Sequence, residues 1–168
     1  MTSGIEFSEL LDYSAGETDR WKQWFSQNSD TLDFAVDIAG AGTLRQLLVH
    51  VFLVELHFAN VLIGSSVDFK QTQQKMETGQ VKTVDDLFGI SEEATRKYRQ
   101  YLARATPDDL AAKVDFGSRF SMKPSKRKLI TQAVTHSMRH WAQISTFLRQ
   151  QGRKPDWVHD FLMSSAME

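Results

Sequence analysis

Thr43-Leu44-Arg45-Gln46-Leu47-Leu48-Val49-His50-Val51-Phe52-Leu53 reads as the start of a helix that is apolar on almost every side. Thr43 is a good N-cap, and Gln46 three residues on makes a Thr-x-x-Gln capping box. Leu44, Leu47, Leu48, Val51, Phe52, Val54, Phe58 and Val61 carry the pattern to a stop at Gly64-Ser65-Ser66. So much apolar surface on one helix implies burial against several neighbours. His50 interrupts the run and is expected to share that burial.

The flanking sequence supplies the neighbours. Upstream, Leu10, Leu11, Trp21, Trp24 and Phe25 recur at helical spacing between about Glu6 and Gln27, followed by an Asp-rich joint ending in Ala39-Gly40-Ala41-Gly42. Downstream, a polar stretch from Asp68 to Gln80 reads as loop or weak helix. A third helix opens at Thr83 with Asp86 three residues on, with a break expected at Gly89 and a restart at Ser91 that runs to Ala105. Thr106-Pro107-Asp108-Asp109 starts a single further turn. Lys113–Phe116 and Arg119–Met122, separated by Gly117-Ser118, suggest a small hairpin. The last helix runs from about Ser125 to Gln151 and stops at Gly152. The expected architecture is all-α: one domain over residues 1–168, an antiparallel four-helix bundle with one elaborated crossover and a small β-hairpin between helices 3 and 4.

Composition narrows the class. The chain has 168 residues, 41% of them apolar, with 20 Lys+Arg against 21 Asp+Glu. That suits one domain able to bury roughly 70% of the surface its unfolded chain exposes. A net charge of −1 disfavours nucleic-acid binding held by bulk electrostatics. With no cysteine there is no disulfide, no thiolate metal site and no cysteine nucleophile, and a cytoplasmic setting is the default expectation. The start, Met1-Thr2-Ser3-Gly4-Ile5-Glu6, lacks the pattern of a signal peptide, and no 18 apolar residues run together, so no membrane partner is expected. Charge is uneven: residues 1–84 hold 6 Lys+Arg and 11 Asp+Glu, residues 85–168 hold 14 and 10. Lys123, Lys126, Arg127 and Lys128 gather where the last helix begins, either as an anion-attracting rim near the bundle mouth or as a solvated helix entrance.

The histidines carry the chemistry. His136 and His140 are four apart, so their side chains project within roughly 40° of one another on successive turns. At about 100° per residue from Leu129, both fall in the stripe that holds Leu129, Ala133 and Phe147, the side expected to face the core. Two inward imidazoles are costly unless each finds a partner, and a metal is such a partner. With His50 they make three imidazoles from two helices, the composition of a transition-metal site with a position left open. The spacing also occurs by chance, and a buried histidine can simply hydrogen-bond to a neighbour. His57 lies about 10 Å along the axis from His50 and cannot share the ion. His159, in the tail beside Asp160, suits a hydrogen bond better than ligation. Glu17 and Glu55 are candidates for a general base, a fourth ligand or a partner of an imidazole N–H, or are helix-surface carboxylates. Trp21, Trp24 and Trp141 read as core.

Leu11-Asp12-Tyr13, Arg20-Trp21-Lys22-Gln23-Trp24-Phe25, Asp37 to His50, His136-Ser137-Met138-Arg139-His140-Trp141-Ala142-Gln143 and Gly152-Arg153-Lys154-Pro155-Asp156-Trp157 together resemble the DinB/YfiT-like family of bacterial four-helix-bundle proteins. The resemblance runs nearly end to end. It implies a three-histidine site for a divalent transition metal, with the first ligand on His50 and the others on His136 and His140. Zinc or nickel is the expected ion, with iron also suited. It further implies a metal-dependent transferase that uses an exogenous low-molecular-weight thiol and a small electrophile; a non-catalytic metal-binding stress-response module is the alternative. A homodimer formed through exposed apolar helix faces is compatible with either.

Overall fold

The computed structural model describes residues 6–65, 74, 81–115, 122–164 and 166. Four long helices carry the fold: α1 (Phe7–Gln27), α2 (Leu44–Leu62), α3 (Val84–Leu102) and, after the one-turn α4 (Pro107–Ala111), α5 (Lys126–Gln150). Their starts follow local chemistry. The Thr43 hydroxyl accepts the Gln46 N–H at 3.2 Å, while the Gln46 side chain reaches past Thr43 to the Gly42 N–H at 2.8 Å. Thr83 and Asp86 cap α3 reciprocally. The break expected at Gly89 is absent: Leu87, Phe88 and Ile90 around it are buried, and that packing outweighs the weak helix propensity of one glycine. At the end of α5, Gly152 takes the left-handed conformation (φ 73°), and the Gly152 and Arg153 N–H groups donate to the carbonyls of Arg149 and Leu148.

Cross-helix contacts give the directions. Arg99 meets Asp12 and Lys22 meets Asp85 and Glu92, so α1 and α3 are antiparallel. Arg45 reaches the carbonyl of Lys82, Ser91 and Tyr98 reach Glu55, and Lys97 reaches Asn60, so α2 and α3 are parallel. His50 faces His140 while Glu55 faces Ser137, so α2 and α5 are antiparallel and α1 and α5 parallel. The all-α bundle is therefore present, with two of its four neighbouring pairs parallel. A parallel pair of consecutive helices requires a connection that returns the length of the bundle, here between Leu62 and Val84. The Asp68–Gln80 stretch lies mostly outside the described residues.

The regular hairpin sits between α1 and α2. Strand β1 (Ala35–Ile38) pairs antiparallel with β2 (Ala41–Thr43) around Ala39-Gly40, both with positive φ (54° and 78°). That is the backbone of a two-residue turn matching the twist of its strands. The sequence hid it because alanine rarely occupies such a position. The hairpin expected between helices 3 and 4 has its turn outside the described residues. Beside it, Lys113 bridges Ser125 antiparallel and the Val114 N–H donates to the Pro124 carbonyl at 3.0 Å.

The core is one cluster drawn from all four long helices, with Trp21, Phe25, Phe52, Phe88 and Ile144 among the side chains wholly out of solvent. Each such aromatic contributes about 1.5–3 kcal/mol by its removal from water. α2 is long and apolar enough to cross a membrane, with a mean hydropathy of 1.2, but most of that window is buried among its neighbours as a bundle's central helix would be.

Candidate metal centre

The buried face of α2 places His50 against α5, whose inward stripe presents His136 and His140 one turn apart. His136 and His140 are buried and His50 is half-buried. The Nε2 atoms of His136 and His140 stand 3.2 Å apart, and the His50 ring centroid lies 5.2 Å from that of His136 and 5.5 Å from that of His140. One ring nitrogen from each of the three falls within 4.8 Å of the others. Two nitrogens bound at about 2.0–2.1 Å to one tetrahedral zinc stand about 3.3 Å apart, so the separation between His136 and His140 fits a shared ion.

The electrostatics agree. Burial first, then the neighbouring imidazoles and the Arg139 guanidinium, push His136 down to about 4. Burial and Arg139 hold His50 below the ordinary imidazole range. Burial and His50 do the same to His140, with Gln143 opposing. All three rings are thus neutral at pH 7, with lone pairs free for a metal. The Nδ1 atoms of His136 and His140 are buried without a hydrogen-bond partner among the described residues. With Nδ1 carrying the proton, each Nε2 lone pair is turned toward the point of convergence.

Arg139 is the residue that spacing did not single out. It lies outside the apolar stripe, exposed, and its charge acts on all three rings. Of the two readings of the basic residues at the start of α5, the solvated helix entrance fits better, with Arg127 and Lys128 exposed. Lys126 pairs with Asp109 and Lys123 with Asp115, about ten residues, or roughly 15 Å of helix, before His136.

Neither glutamate joins the group of His50, His136 and His140, and neither is a surface carboxylate; Glu17 partners the imidazole of His159 instead. Glu17 accepts from His159 Nδ1 at 2.9 Å, Arg20 at 2.9 Å and Trp157 Nε1 at 3.4 Å. Burial tends to raise its pKa, but the His159 and Trp157 hydrogen bonds and the Arg20 guanidinium prevail and hold it below the ordinary range. His159 stacks on Trp21 at 5.1 Å and 12°, and Trp21 stacks in turn on Trp141. With Arg153 on Asp30 and Phe161 against Tyr13, the tail is a strap running back along α1. His159 therefore has the hydrogen-bonding role expected of it, and Trp21 and Trp141 are core, with Trp24 half-buried against it.

Glu55 lies deeper, and burial lifts its carboxyl to about 7 against the lowering effect of two serine hydroxyls. Ser91 Oγ donates to its Oε2 at 2.6 Å, Ser137 Oγ meets its Oε1, and Tyr98 OH donates to its main-chain carbonyl at 2.9 Å. The two serines gave no sequence signal beyond being polar residues on apolar faces. His57 is half-buried and stands outside the histidine group, its pKa lowered by burial.

Comparison with known proteins agrees with this geometry. An uncharacterized protein of Bacillus subtilis (strain 168), YjoA, is 28% identical over 110 residues, a match covering 64% of this chain and 66%, slightly less than two thirds, of that protein. The model of the DinB family matches residues 1–166. Near-complete coverage by that model, around a bundle bringing His50, His136 and His140 together, shows that the chain belongs to the DinB family.

Proposed function

We propose that this protein binds a divalent transition metal through His50, His136 and His140 and acts as a transferase that moves an exogenous low-molecular-weight thiol onto a small electrophile. The convergence of three neutral imidazoles within 4.8 Å is the observation that supports it. Three nitrogen donors suit zinc, nickel or iron, with a position left for a small ligand. When bound, such an ion supplies Lewis acidity that favours thiolate over thiol.

The chain's own residues do the rest. His136 and His140 hold two donors on the rigid wall of α5, and half-buried His50 marks the side from which a small molecule can approach. Arg139 adds positive potential on that flank, favouring an anionic sulfur. The reacting sulfur comes from outside, because the chain has no cysteine. In the transfer the S–H proton passes to solvent, a bond forms from sulfur to the electrophile, and the bond to its leaving group breaks with that group taking the electron pair.

The deciding experiment compares metal content and turnover. Protein purified without added metal is expected to hold close to one ion per chain, and H136A/H140A close to none, by elemental analysis. Metal-loaded protein is expected to consume electrophile only when thiol is present, with H140A inactive. Equal metal in both proteins would remove the site. Metal without turnover across several thiols and electrophiles would leave the second reading, a metal-binding module without catalysis, which the burial of His136 and His140 favours.

A further inference from the structure

We propose that Glu55 is a positioning residue of the histidine centre, a neutral buried carboxylic acid that holds α5 against α2 and so keeps His136 and His140 in register with His50. The inference rests on the metal-binding reading above and goes beyond the ligands themselves.

Glu55 is the point at which three helices are tied. From α2 it contacts Ser91 on α3 and Ser137 on α5, and its own carbonyl receives Tyr98 OH from α3. Ser137 is the residue next to His136. A shift of the Ser137 contact therefore moves His136 with it, and metal geometry tolerates little displacement. The tie also lies close to the histidines: Glu55 is five residues from His50 on α2, and Ser137 is one residue from His136 and three from His140 on antiparallel α5.

The hydrogens can be counted. Ser137 Oγ touches both Glu55 Oε1 and the Ala133 carbonyl, the latter at 3.0 Å. A hydroxyl has one proton, and a carbonyl can only accept. A protonated Glu55 fits these contacts, its hydroxyl donating to Ser137 Oγ while Ser137 donates in turn to the Ala133 carbonyl. Ser91 donates to the other carboxyl oxygen. Every polar group in the tie is then satisfied, and among the described residues no cation contacts Glu55 that would hold it ionised.

Glutamine matches this arrangement, with its amide donating to Ser137 and its carbonyl accepting from Ser91; alanine does not. The test uses Co2+ alone, added to the full-length apo protein, with affinity from competition against a chelator and ligand geometry from the visible absorption of the bound ion. E55A and S137A are expected to weaken Co2+ binding by about 10-fold or more and to alter the band, while E55Q keeps the wild-type affinity and spectrum. A purely structural Glu55 would lower the melting temperature of the apo protein yet leave the affinity and band of folded variants unchanged, which would overturn the proposal. Loss of binding in E55Q equal to that in E55A would overturn the neutral-acid assignment. Should E55A not fold, S137A carries the same test. Wild type that binds no Co2+ would refute the metal reading itself, an outcome distinct from a failure of Glu55.

Discussion

Ala39 holds a left-handed backbone conformation (φ 54°) that costs an L-residue with a Cβ roughly 1–2 kcal/mol. The substitution A39G relieves it and is expected to stabilise the protein by up to about 1 kcal/mol, read as a rise in urea midpoint at unchanged slope. Glu55 offers a second measurement at this scale. Its folded pKa of about 7 lies above the ordinary 4.5, so the native state holds more protons than the unfolded state between those values. Stability attached to this group is accordingly full below pH 4.5 and falls as pH rises toward 7 and beyond. E55Q does not titrate, so its stability relative to wild type is expected to grow by on the order of 3 kcal/mol from pH 4.5 to pH 8. Denaturation series at the two pH values check this; a constant difference would mean that Glu55 does not titrate abnormally.

At the scale of elements, the C-terminal strap and α1 depend on one another. His159 covers Trp21 and supplies a hydrogen bond to the buried Glu17 carboxylate. Removing it in H159A leaves that carboxylate with fewer donors and uncovers an indole. The expected cost is about 1–3 kcal/mol, with red-shifted tryptophan emission and faster proteolysis after Gly152. Much of this scale was legible beforehand. The caps at Thr43, Thr83 and Thr106 and the stop at Gly152 are local chemistry, and each element stands where its signal lies. Gly89 and the β1–β2 hairpin were misread for one reason. Both are places where the residue's own preference is overruled: at Gly89 the buried neighbours outweigh a weak helix propensity, and at Ala39 an alanine holds a positive-φ turn position usually marked by glycine or asparagine.

For the whole molecule, the histidine centre joins α2 to α5, so an ion bound there stabilises the folded chain over the unfolded one. Zinc or nickel at 100 times its dissociation constant should add about 2.7 kcal/mol. That gain should appear as a higher melting temperature, should be reversed by a chelator, and should be absent in H136A/H140A. Low pH opposes it: His136 must be neutral to bind, and in the unfolded chain its pKa returns to the ordinary 6.5 from about 4. The folded apo protein therefore loses stability as pH falls from 6.5 toward 4, and unfolding curves over that range test the sign.

The sequence by itself determined the helices, the inward direction of His136 and His140, and the candidate trio with His50. Caps and periodicity are short-range properties, and a four-residue spacing fixes the geometry within one helix. Only the tertiary structure decided that α2 and α3 run parallel, that Arg139 flanks the rings, and that Glu55 and Glu17 are buried in separate networks away from them. Those facts depend on which faces of distant helices meet, and a carboxylate on a helix carries no local mark of whether a serine, an imidazole or water will lie across from it.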